Sequence, residues 1–389
     1  MAIVRSQAVM TTPPSGMRPL SIEDKVLKTR PNKTRLLTAL MALNKVAVDD
    51  YKFRINEQKI DPGYITCTAL NAGANQITVS AADAAYIRLG TTLRLDHQNA
   101  YLVTAVNYST GVITLNGTTN LTNSSVLNIG GTGSEELSLR PAAISRIPVQ
   151  IENFVETQRD AWGTSRHTQN VRYYGGSRVW QTEDDATWEH KRSIDRGCWF
   201  NVKAETTQDS GNGSQVLLKT NGILSLITTN VYTFGSNLVS MDKIRTNLRI
   251  GTRFTMSDRL WLCFGAKGQE LLDKICYDKT VPQQFNTTAL FDVTTYTIGG
   301  KKLVPMIIDH FDNGMDDTWV VLDPEFLEIV TTQDQQSNQR QWMLKRTIKP
   351  QDNTNGVDGT INDILTDYGV RLHNEMAHSI WDGAQAVGS

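Results

Sequence analysis

Two histidines near the end of the chain have the residue type of a metal site but not its spacing. His373 and His378 flank the sequence Asn-Glu-Met-Ala, which at first sight matches the H-E-x-x-H helix of zinc proteases. That motif places its histidines four residues apart on one helical face, with the glutamate beside the first histidine. Here the histidines are five residues apart in a segment that reads as strand or turn. We therefore expect no zinc site.

An acidic stretch at residues 309–317, DHFDNGMDD, is the second place where chemistry could occur. Its carboxylates are suitable ligands for Ca²⁺, but they do not follow the D-x-[DN]-x-[DN]-G register of a calcium loop. A hydrolase that uses His310 and the acidic residues around Asp312 is one open hypothesis. The simpler interpretation is a solvated hairpin tip.

The other sequence motifs of catalytic sites are absent or have the wrong spacing. Residues 130–136, GGTGSEE, lack the G-x-G-x-x-G pattern and a following P-loop lysine, so they predict a turn. No G-x-S-x-G elbow occurs, and the six histidines offer no obvious base beside a nucleophile. We predict that the protein is not an enzyme and that it uses no metal and no cofactor.

Composition excludes several other classes of protein. With 389 residues and 39% hydrophobic content the chain can bury a sizeable core in two or three subdomains. Its 39 basic and 40 acidic residues nearly cancel, so any contact with nucleic acid is expected to be local and weak. No apolar run approaches the roughly 18 to 20 residues of a membrane span, and the N-terminus lacks a signal-peptide core. We expect a cytoplasmic protein with no membrane contact.

The four cysteines predict neither a disulfide framework nor a zinc site. They are widely scattered and no C-x-x-C pair occurs among them. We expect all four to be small buried hydrophobic side chains, at positions Cys67, Cys198, Cys263 and Cys276.

The first part of the chain reads as an arm, a short helix and strands. Residues 1–33 are rich in Pro, Ser, Thr and Arg without periodicity, which is typical of an arm. An apolar face in TRLLTALMALNK predicts a short helix, and alternation in VAVDDYKFRINEQKI predicts a strand. A similar strand, ISRIPVQIENFVETQ, comes much later. Between them, residues 62–137 contain short strand-like pieces separated by turn residues, which predict a small all-β module.

The second part predicts a long helix and then an α+β domain. The helix should open at Thr182 and run to about residue 205, with an apolar band that includes Trp188 and Val202 and is interrupted by Asp195. Trp162 and Trp180 lie near its start. We expect them to pack in the core, and the alternative is that they lie in an interface between subunits. Further on, SMDKIRTNLRI and KGQELLDKICYD read as helices. Strands are predicted at TTYTIGGKKLVPMIIDH, DTWVVLDPEFLEIVTT, QWMLKRTIKP and LTDYGVRLHNEMAHSI.

The order of these parts resembles the Hong Kong 97-type fold of tailed-phage major head proteins, in the branch with a β module inside its extended loop. TRLLTAL followed by YKFRINEQ is similar to the family's passage from arm to loop, and LRLDHQNAYLVTAVNYSTGVITLNG to its inserted module. ETQRDAWGTSR resembles the return of the loop, and TDYGVRLHNEMAHSIWDG the closing strand. No lysine and asparagine pair matches the self-crosslinking chemistry of one lineage, and no helical N-terminal scaffold extension is present.

The resemblance implies a domain plan and a function. A major capsid protein of this type assembles into the pentamers and hexamers of an icosahedral head that encloses double-stranded DNA, in a virion assembled in the host cytoplasm. Its partners would be copies of itself, a portal, separate scaffolding or decoration proteins, and the packaged DNA by weak non-specific contact. The implied parts are an arm with a short helix (1–45), an extended loop (46–61 and 138–172), a β subdomain (62–137), a spine helix of a peripheral domain (173–214), an axial domain (215–330) and returning peripheral strands (331–389).

Charged residues on the loop strands and on the long helix are our candidates for subunit contacts. Each loop strand needs a partner for one of its faces, and charges repeated at every boundary can select the right neighbour even when each pair is weak. The candidates are Arg54, Glu57, Lys59, Glu152, Glu156, Arg159, Asp160, Trp162, Glu189, Arg192 and Arg196. The alternative function is a virion-associated protein that binds a receptor or glycan, which the Asn/Thr-rich turns of the β module motivate.

Overall fold

The chain forms two compact units. The computed structural model describes residues 34–43, 45–58, 63–71, 75–117, 121–137, 148–171, 177–209, 211, 213–235, 238–276, 295–312, 314–332, 345–347 and 359–387. The expected arm, residues 1–33, and Lys59 lie outside these residues. The first unit is Met1–Arg54 with Glu152–Ser389, and the second is Ile55–Ile151.

A mixed sheet forms one part of the first unit. Its strand order is β1-β20-β22-β11, with β21 also paired to β22, and the pairing of β1 with β20 is parallel. Ten residues of β11 pair with β22 in antiparallel register. The strands are β1 (Lys45–Val48), β11 (Glu156–Ser165), β20 (Leu327–Thr332), β21 (Lys345–Thr347) and β22 (Gly359–Leu372).

The short helix α1 (Arg35–Leu43) belongs to the core of the first unit. Leu36, Leu37 and Leu40 recur at helical spacing and are all buried. They pack in one cluster with Ile194 and with side chains of β20 and β22. The helix that the sequence grouped with the arm is therefore held by the sheet and the long helix.

The long helix α4 spans Arg178–Phe200, so both predicted ends were wrong. Thr182 does not cap the helix, because its hydroxyl donates to the Arg178 carbonyl oxygen one turn earlier (2.9 Å). The helix ends at Phe200 because Asn201 is extended and residue 205 already belongs to strand β12 (Ala204–Asp209). Val202, expected in the buried band, lies beyond the helix and is exposed.

A six-stranded sheet, buried on both faces, forms the other part of the first unit. Its order is β14-β23-β19-β16-β18-β17. Trp261 and Cys263 of β16 pack in the cluster of α4, whereas Leu260 and Leu262 pack on the other face. The strands are β14 (Val231–Thr233), β16 (Arg259–Phe264), β17 (Tyr296–Ile298), β18 (Lys301–Ile307), β19 (Trp319–Leu322) and β23 (Ser379–Asp382).

Two helices, both predicted from the sequence, cover the second face of this sheet. Helix α6 (Met241–Gly251) follows Ser240, whose hydroxyl accepts from the Lys243 amide, and it buries Ile244 and Leu248. Helix α7 (Ala266–Cys276) buries Leu271 and Leu272. Both helices contribute to a core that also contains Trp319 and Trp381.

Sheet membership differs from the expected boundaries at three places. The boundary between 330 and 331 falls inside β20, and the expected returning strand at β23 lies in the six-stranded sheet. Residues 46–48 and 156–165, expected in the extended loop, pair with the mixed sheet instead. The physical reason is that alternation identifies a strand with one buried face without identifying the sheet that buries it.

Shorter elements complete the first unit. Strands β2 (Lys52–Glu57) and β10 (Val149–Phe154) pair with each other where the chain passes into and out of the second unit, and β12 pairs with β13 (Ser214–Lys219). Among the described residues no helix has the length and apolar character to cross a membrane. The other elements are α3 (Arg166–Asn170), α5 (Ile223–Leu226), β15 (Leu238–Val239), β24 (Ala386–Val387) and the 3₁₀ helices Asp309–Phe311, Pro324–Phe326 and Glu375–Ala377.

The second unit is a β-sheet that closes on itself. Its order is β3-β9-β6-β7-β8-β5-β4, and the two outer strands, β3 and β4, follow each other directly in the chain. Cys67 and Thr68 between them continue the pairing through backbone bonds to Ser125 and Thr78. A closed sheet leaves no long open edge. The elements are β3 (Tyr64–Thr66), β4 (Ala69–Asn71), β5 (Gln76–Thr78), α2 (Ala81–Ala84), β6 (Thr91–Arg94), β7 (Ala100–Asn107), β8 (Val112–Leu115) and β9 (Val126–Thr132).

Candidate subunit-contact surface

Arg54 and Glu152, two candidate contact residues, pair with each other at the base of β2 and β10. Arg54 Nε lies 3.1 Å from Glu152 Oε2. Lys203 Nζ reaches the same carboxylate at 3.2 Å and the Glu152 carbonyl oxygen at 3.0 Å. The hydrogen bonds from Arg54 and then Lys203 hold the pKa of Glu152 below its ordinary value. Glu152 thus bridges two cations of its own chain.

Phe154 adds a second link at this base, one that the sequence did not reveal. Lys203 Nζ lies 4.6 Å and Lys52 Nζ 5.5 Å from the centre of the Phe154 ring, so both ammonium groups are within cation–π range. Lys52 also pairs with Glu205 of β12 at 2.7 Å. The partners come from separate segments, and no local sequence signal joins them.

Glu156 is a half-buried residue and not the surface charge that we expected. Its carboxylate accepts from Asn201 Nδ2 at 2.6 Å and from the Thr220 amide at 3.4 Å. Burial raises its pKa. Nearby, Tyr368 approaches α4 so closely that a Cβ on Gly197 would lie 2.1 Å from its hydroxyl oxygen. This cluster joins β11, β22 and the end of α4.

Three further candidates, Arg159, Asp160 and Trp162, lie on β11. Arg159 forms an ion pair with Asp363 of the paired strand β22. Asp160 pairs with His190 Nδ1 of α4, and the other ring nitrogen of His190 lies 2.7 Å from the Thr366 hydroxyl. Trp162 is buried in its own chain. These side chains therefore hold the ribbon of β11 and β22 against α4.

The outward side of α4 carries the candidates that remain exposed. Glu189 and Arg196 are exposed, and the Arg192 guanidinium lies 5.3 Å from the centre of the Trp188 ring. Trp180, in the first turn, has 71% of its surface exposed. Exposed tryptophan is unusual on a lone soluble protein and frequent in interfaces. Glu57 ends β2 and is partly exposed.

Exposed aliphatic side chains lie on and beside the ribbon of β12 and β13. Val202, Val216 and Leu217 are all exposed, and every residue from Glu205 to Asp209 is exposed as well. A two-stranded ribbon alone in water is only marginally stable. This ribbon is thus an exposed surface of the subunit with a partly apolar character.

The residues of the hydrolase hypothesis have separate partners. His310 Nε2 lies 3.0 Å from Asp195 Oδ2, inside the core. Asp312 accepts from the Ala266 amide at 2.6 Å and so caps α7, while Asp316 pairs with Lys267. The acidic stretch therefore connects β18 and β19, with His310 paired to Asp195 of α4 and Asp312 paired to the start of α7.

The two C-terminal histidines also face different partners. His373 Nε2 lies 3.3 Å from Glu328, whereas His378 is buried and accepts from the Asp323 amide at 3.2 Å. In the part of the chain that the structure describes, no group of three or more His, Cys, Asp or Glu residues could hold a metal. Three cysteines are buried, as predicted, namely Cys67, Cys198 and Cys263.

Comparisons with known proteins point to one class. A family model described as SU10 major capsid protein matches residues 6–385. No curated protein sequence matches the chain. Among solved structures, the capsid of a native GTA particle, computed with C5 symmetry, is similar with a TM-score of 0.53 and 9% identity, over 97% of this chain and 99% of that chain.

Two further solved structures are similar to this chain. The capsid of the empty GTA particle has a TM-score of 0.51 and 10% identity, over 98% of this chain and 100% of that chain. The capsid asymmetric unit of Cyanophage A-1(L) has a TM-score of 0.49 and 9% identity, over 96% of this chain and 99% of that chain. At these identities the likeness to the GTA capsids is a likeness of fold.

Proposed function

The chain belongs to the SU10 major capsid protein family, and from this membership we propose how its parts build a phage head. It is a structural, shell-forming subunit of a bacteriophage capsid with the Hong Kong 97-type fold, as the sequence predicted. The observation that carries this conclusion is the family match over residues 6–385, joined by a fold match over 97% of the chain.

We assign the parts of the fold to the parts of a head protein. Helix α4 with the mixed sheet is the peripheral domain, and the six-stranded sheet with α6 and α7 is the axial domain around five-fold and six-fold axes. Strands β2 and β10 are the base of the extended loop, and the closed sheet of the second unit is its inserted β subdomain. One apolar cluster contains side chains of both sheets and of α4. This shared core supports the proposal that the peripheral and axial domains act as one rigid part of the shell wall.

We divide the candidate contact residues into two roles. Glu57, Glu189, Arg192 and Arg196 lie on exposed or half-exposed positions and would meet the neighbouring subunit. Arg54 and Glu152 have partners in their own chain and would fix β2 and β10, the strands that reach the neighbour. Arg159 and Asp160 would hold β11 to β22 and to α4 inside the subunit. Glu156 and Trp162 would act from inside the subunit. Lys59 lies outside the described residues and stays a predicted contact residue.

Other partners complete the proposal. Residues 1–33 would extend to neighbouring copies, a portal and separate scaffolding or decoration proteins would join the shell, and packaged DNA would touch it weakly. Assembly would take place in the host cytoplasm. The near-neutral charge of the chain supports weak DNA contact, because strong binding needs many phosphates to be neutralised by basic groups. Catalysis has no part in this function.

Expression of the full chain tests the proposal. Sedimentation and electron microscopy should show capsomers, tubes or closed shells, formed by the chain alone or with the scaffolding protein of its phage. A matched control is Arg94→Glu, which reverses an exposed charge on the second unit and should leave assembly intact. Retention on glycans by a chain that stays monomeric would favour the receptor-binding alternative.

A further inference from the structure

A buried carboxylate on α4 caps the start of another helix. Asp195 is 1% exposed, and its Oδ1 accepts from the Leu37 amide of α1 at 2.8 Å. The Thr38 amide bonds back to the Thr34 carbonyl, so Thr34 is the first residue of the helical turn and Leu37 is one of the early positions. Amides in this first turn have no intrahelical acceptor and need a cap. A residue 158 positions away supplies it.

His310 holds the capping carboxylate in place. Its Nε2 lies 3.0 Å from the second oxygen of Asp195, and its own side chain is almost fully buried. The next residue, Phe311, packs edge-on against Trp199 of α4 with ring centres 4.9 Å apart. A buried carboxylate is tolerated only when its oxygens are bonded. Asp195 is therefore bonded on one side to α1 and on the other to the connection that follows β18.

This cap lies at the point where the N-terminal residues join the core. Residues 1–33 precede α1 directly, and a chain of that length can span up to about 110 Å. Such a segment can reach well beyond its own subunit. The direction in which it leaves depends on the first turn of α1, which is the turn that Asp195 caps.

We propose that Asp195, oriented by His310, is a positioning residue for assembly that fixes where residues 1–33 leave the core. The inference rests on the proposed function, in which these residues extend to neighbouring copies. Loss of the cap leaves the first turn of α1 held by the packing of Leu36 and Leu37 alone. The start of the helix then varies in position, and the contacts of residues 1–33 with neighbours lose their register.

Three variants of the full chain separate positioning from general stability. Asp195→Ala removes the cap and leaves the Leu37 amide and His310 without a partner. Asp195→Asn keeps an oxygen for Leu37 and an amide that can donate to His310. Ile223→Ala is the matched control, because it opens a cavity in the same core at a fully buried residue of α5 and leaves the Asp195 cap intact.

The readouts are shell formation, hydrogen exchange of α1, and cross-links from Lys25, Lys28 and Lys33 to neighbouring copies. In Asp195→Ala we expect the exchange of residues 37–40 to rise at least about tenfold, corresponding to ~1.4 kcal/mol. The intersubunit cross-links should scatter and the yield of closed shells should fall. Asp195→Asn should restore the cross-link pattern, and Ile223→Ala should keep it despite its lower stability.

The opposite results overturn the inference without touching the proposed function. If Asp195→Ala forms shells with the parental cross-links, the cap does not position the N-terminal residues. If Ile223→Ala scatters the cross-links equally, the effect is one of stability alone. If the parental chain forms no shell under any of these conditions, the proposed function itself fails.

Discussion

The two units of the chain hold their cores together by different means. The core of the second unit consists of apolar side chains inside a closed sheet, and among its described residues the buried polar side chain is Thr91, which pairs with Thr132. The first unit buries charged and amide side chains as well, including Asn153, Asp195, His190 and His378. Apolar contacts have no preferred direction, whereas a buried polar group loses stability unless a particular donor or acceptor lies within hydrogen-bond distance. The first unit is therefore the part in which single substitutions can separate joined elements.

Asn153→Ala should give the largest effect. Its side chain donates to the Val370 carbonyl at 2.7 Å and accepts from the amides of Asn221 and Phe154. We expect the first unit to lose roughly 3 to 5 kcal/mol, because each buried group left unpaired costs about 1 to 3 kcal/mol. Chemical denaturation followed by tryptophan fluorescence measures this, since every tryptophan lies in the first unit. Asn153→Asp, which keeps one acceptor, is the control. A loss of less than ~1 kcal/mol in the free energy of unfolding would show that the first unit does not depend on its buried polar groups.

Leu93→Ala should destabilise the second unit while leaving the first unit unchanged. Leu93 is fully buried in the closed sheet, so the cavity should cost about 2 to 5 kcal/mol. Hydrogen exchange of residues 64–132 is the measurement, with Leu89→Ala as the control because Leu89 is exposed. Equal destabilisation of the six-stranded sheet would show that the two units fold as one.

Acid should weaken the first unit through His378. Burial lowers the pKa of His378 from 6.5 to about 4. Between these values the unfolded chain binds a proton that the folded chain does not, so stability rises with pH in this window. From pH 7 to pH 4 we expect this residue to remove roughly 3 kcal/mol. Denaturation midpoints of the parent and of His378→Gln should converge as pH falls, and parallel curves would contradict the assignment.

Reversal of Arg54 and Arg159 to Glu should change stability least. Both side chains are largely exposed, and exposed ion pairs contribute about 0 to 1 kcal/mol each. The melting temperature should therefore stay nearly constant. Assembly should be abolished or misdirected, because β2, which reaches the neighbour, loses its ion pair with Glu152 and β11 loses its ion pair with Asp363. The corresponding changes to Gln are the control. Normal particles from the double reversal would show that these residues set no register.

The order of the structural parts could be predicted from the sequence, but the contacts between residues far apart in the chain could not. Periodicity alone was enough for α6 and α7, because their apolar spacing and nearby caps are local signals. Asp195 was interpreted as an interruption of the buried band of α4, yet it is among the most buried residues. Its partners, Leu37 and His310, lie 158 and 115 positions away, so nothing near Asp195 in the sequence reveals them.

The candidate contact residues show the same limit. Charges on alternating strands predicted contacts of Arg54, Glu152, Arg159 and Asp160 with a neighbouring subunit. In the subunit each of these residues pairs within its own chain, and the contact with a neighbour stays a prediction. Alternating charge does not show which chain supplies the partner. Trp180, by contrast, is exposed in the subunit, and position along a helix could not distinguish it from the buried Trp199.

Cryo-electron microscopy of the particles formed by the full chain is the sharpest test of the shell-forming role. We expect closed shells in which five or six copies meet at each axis through the six-stranded sheet, with β2 and β10 lying on the neighbouring copy. A folded chain that stays monomeric under every assembly condition would show that the chain does not form a shell. Particles in which other surfaces surround the symmetry axes would contradict the assignment of domains.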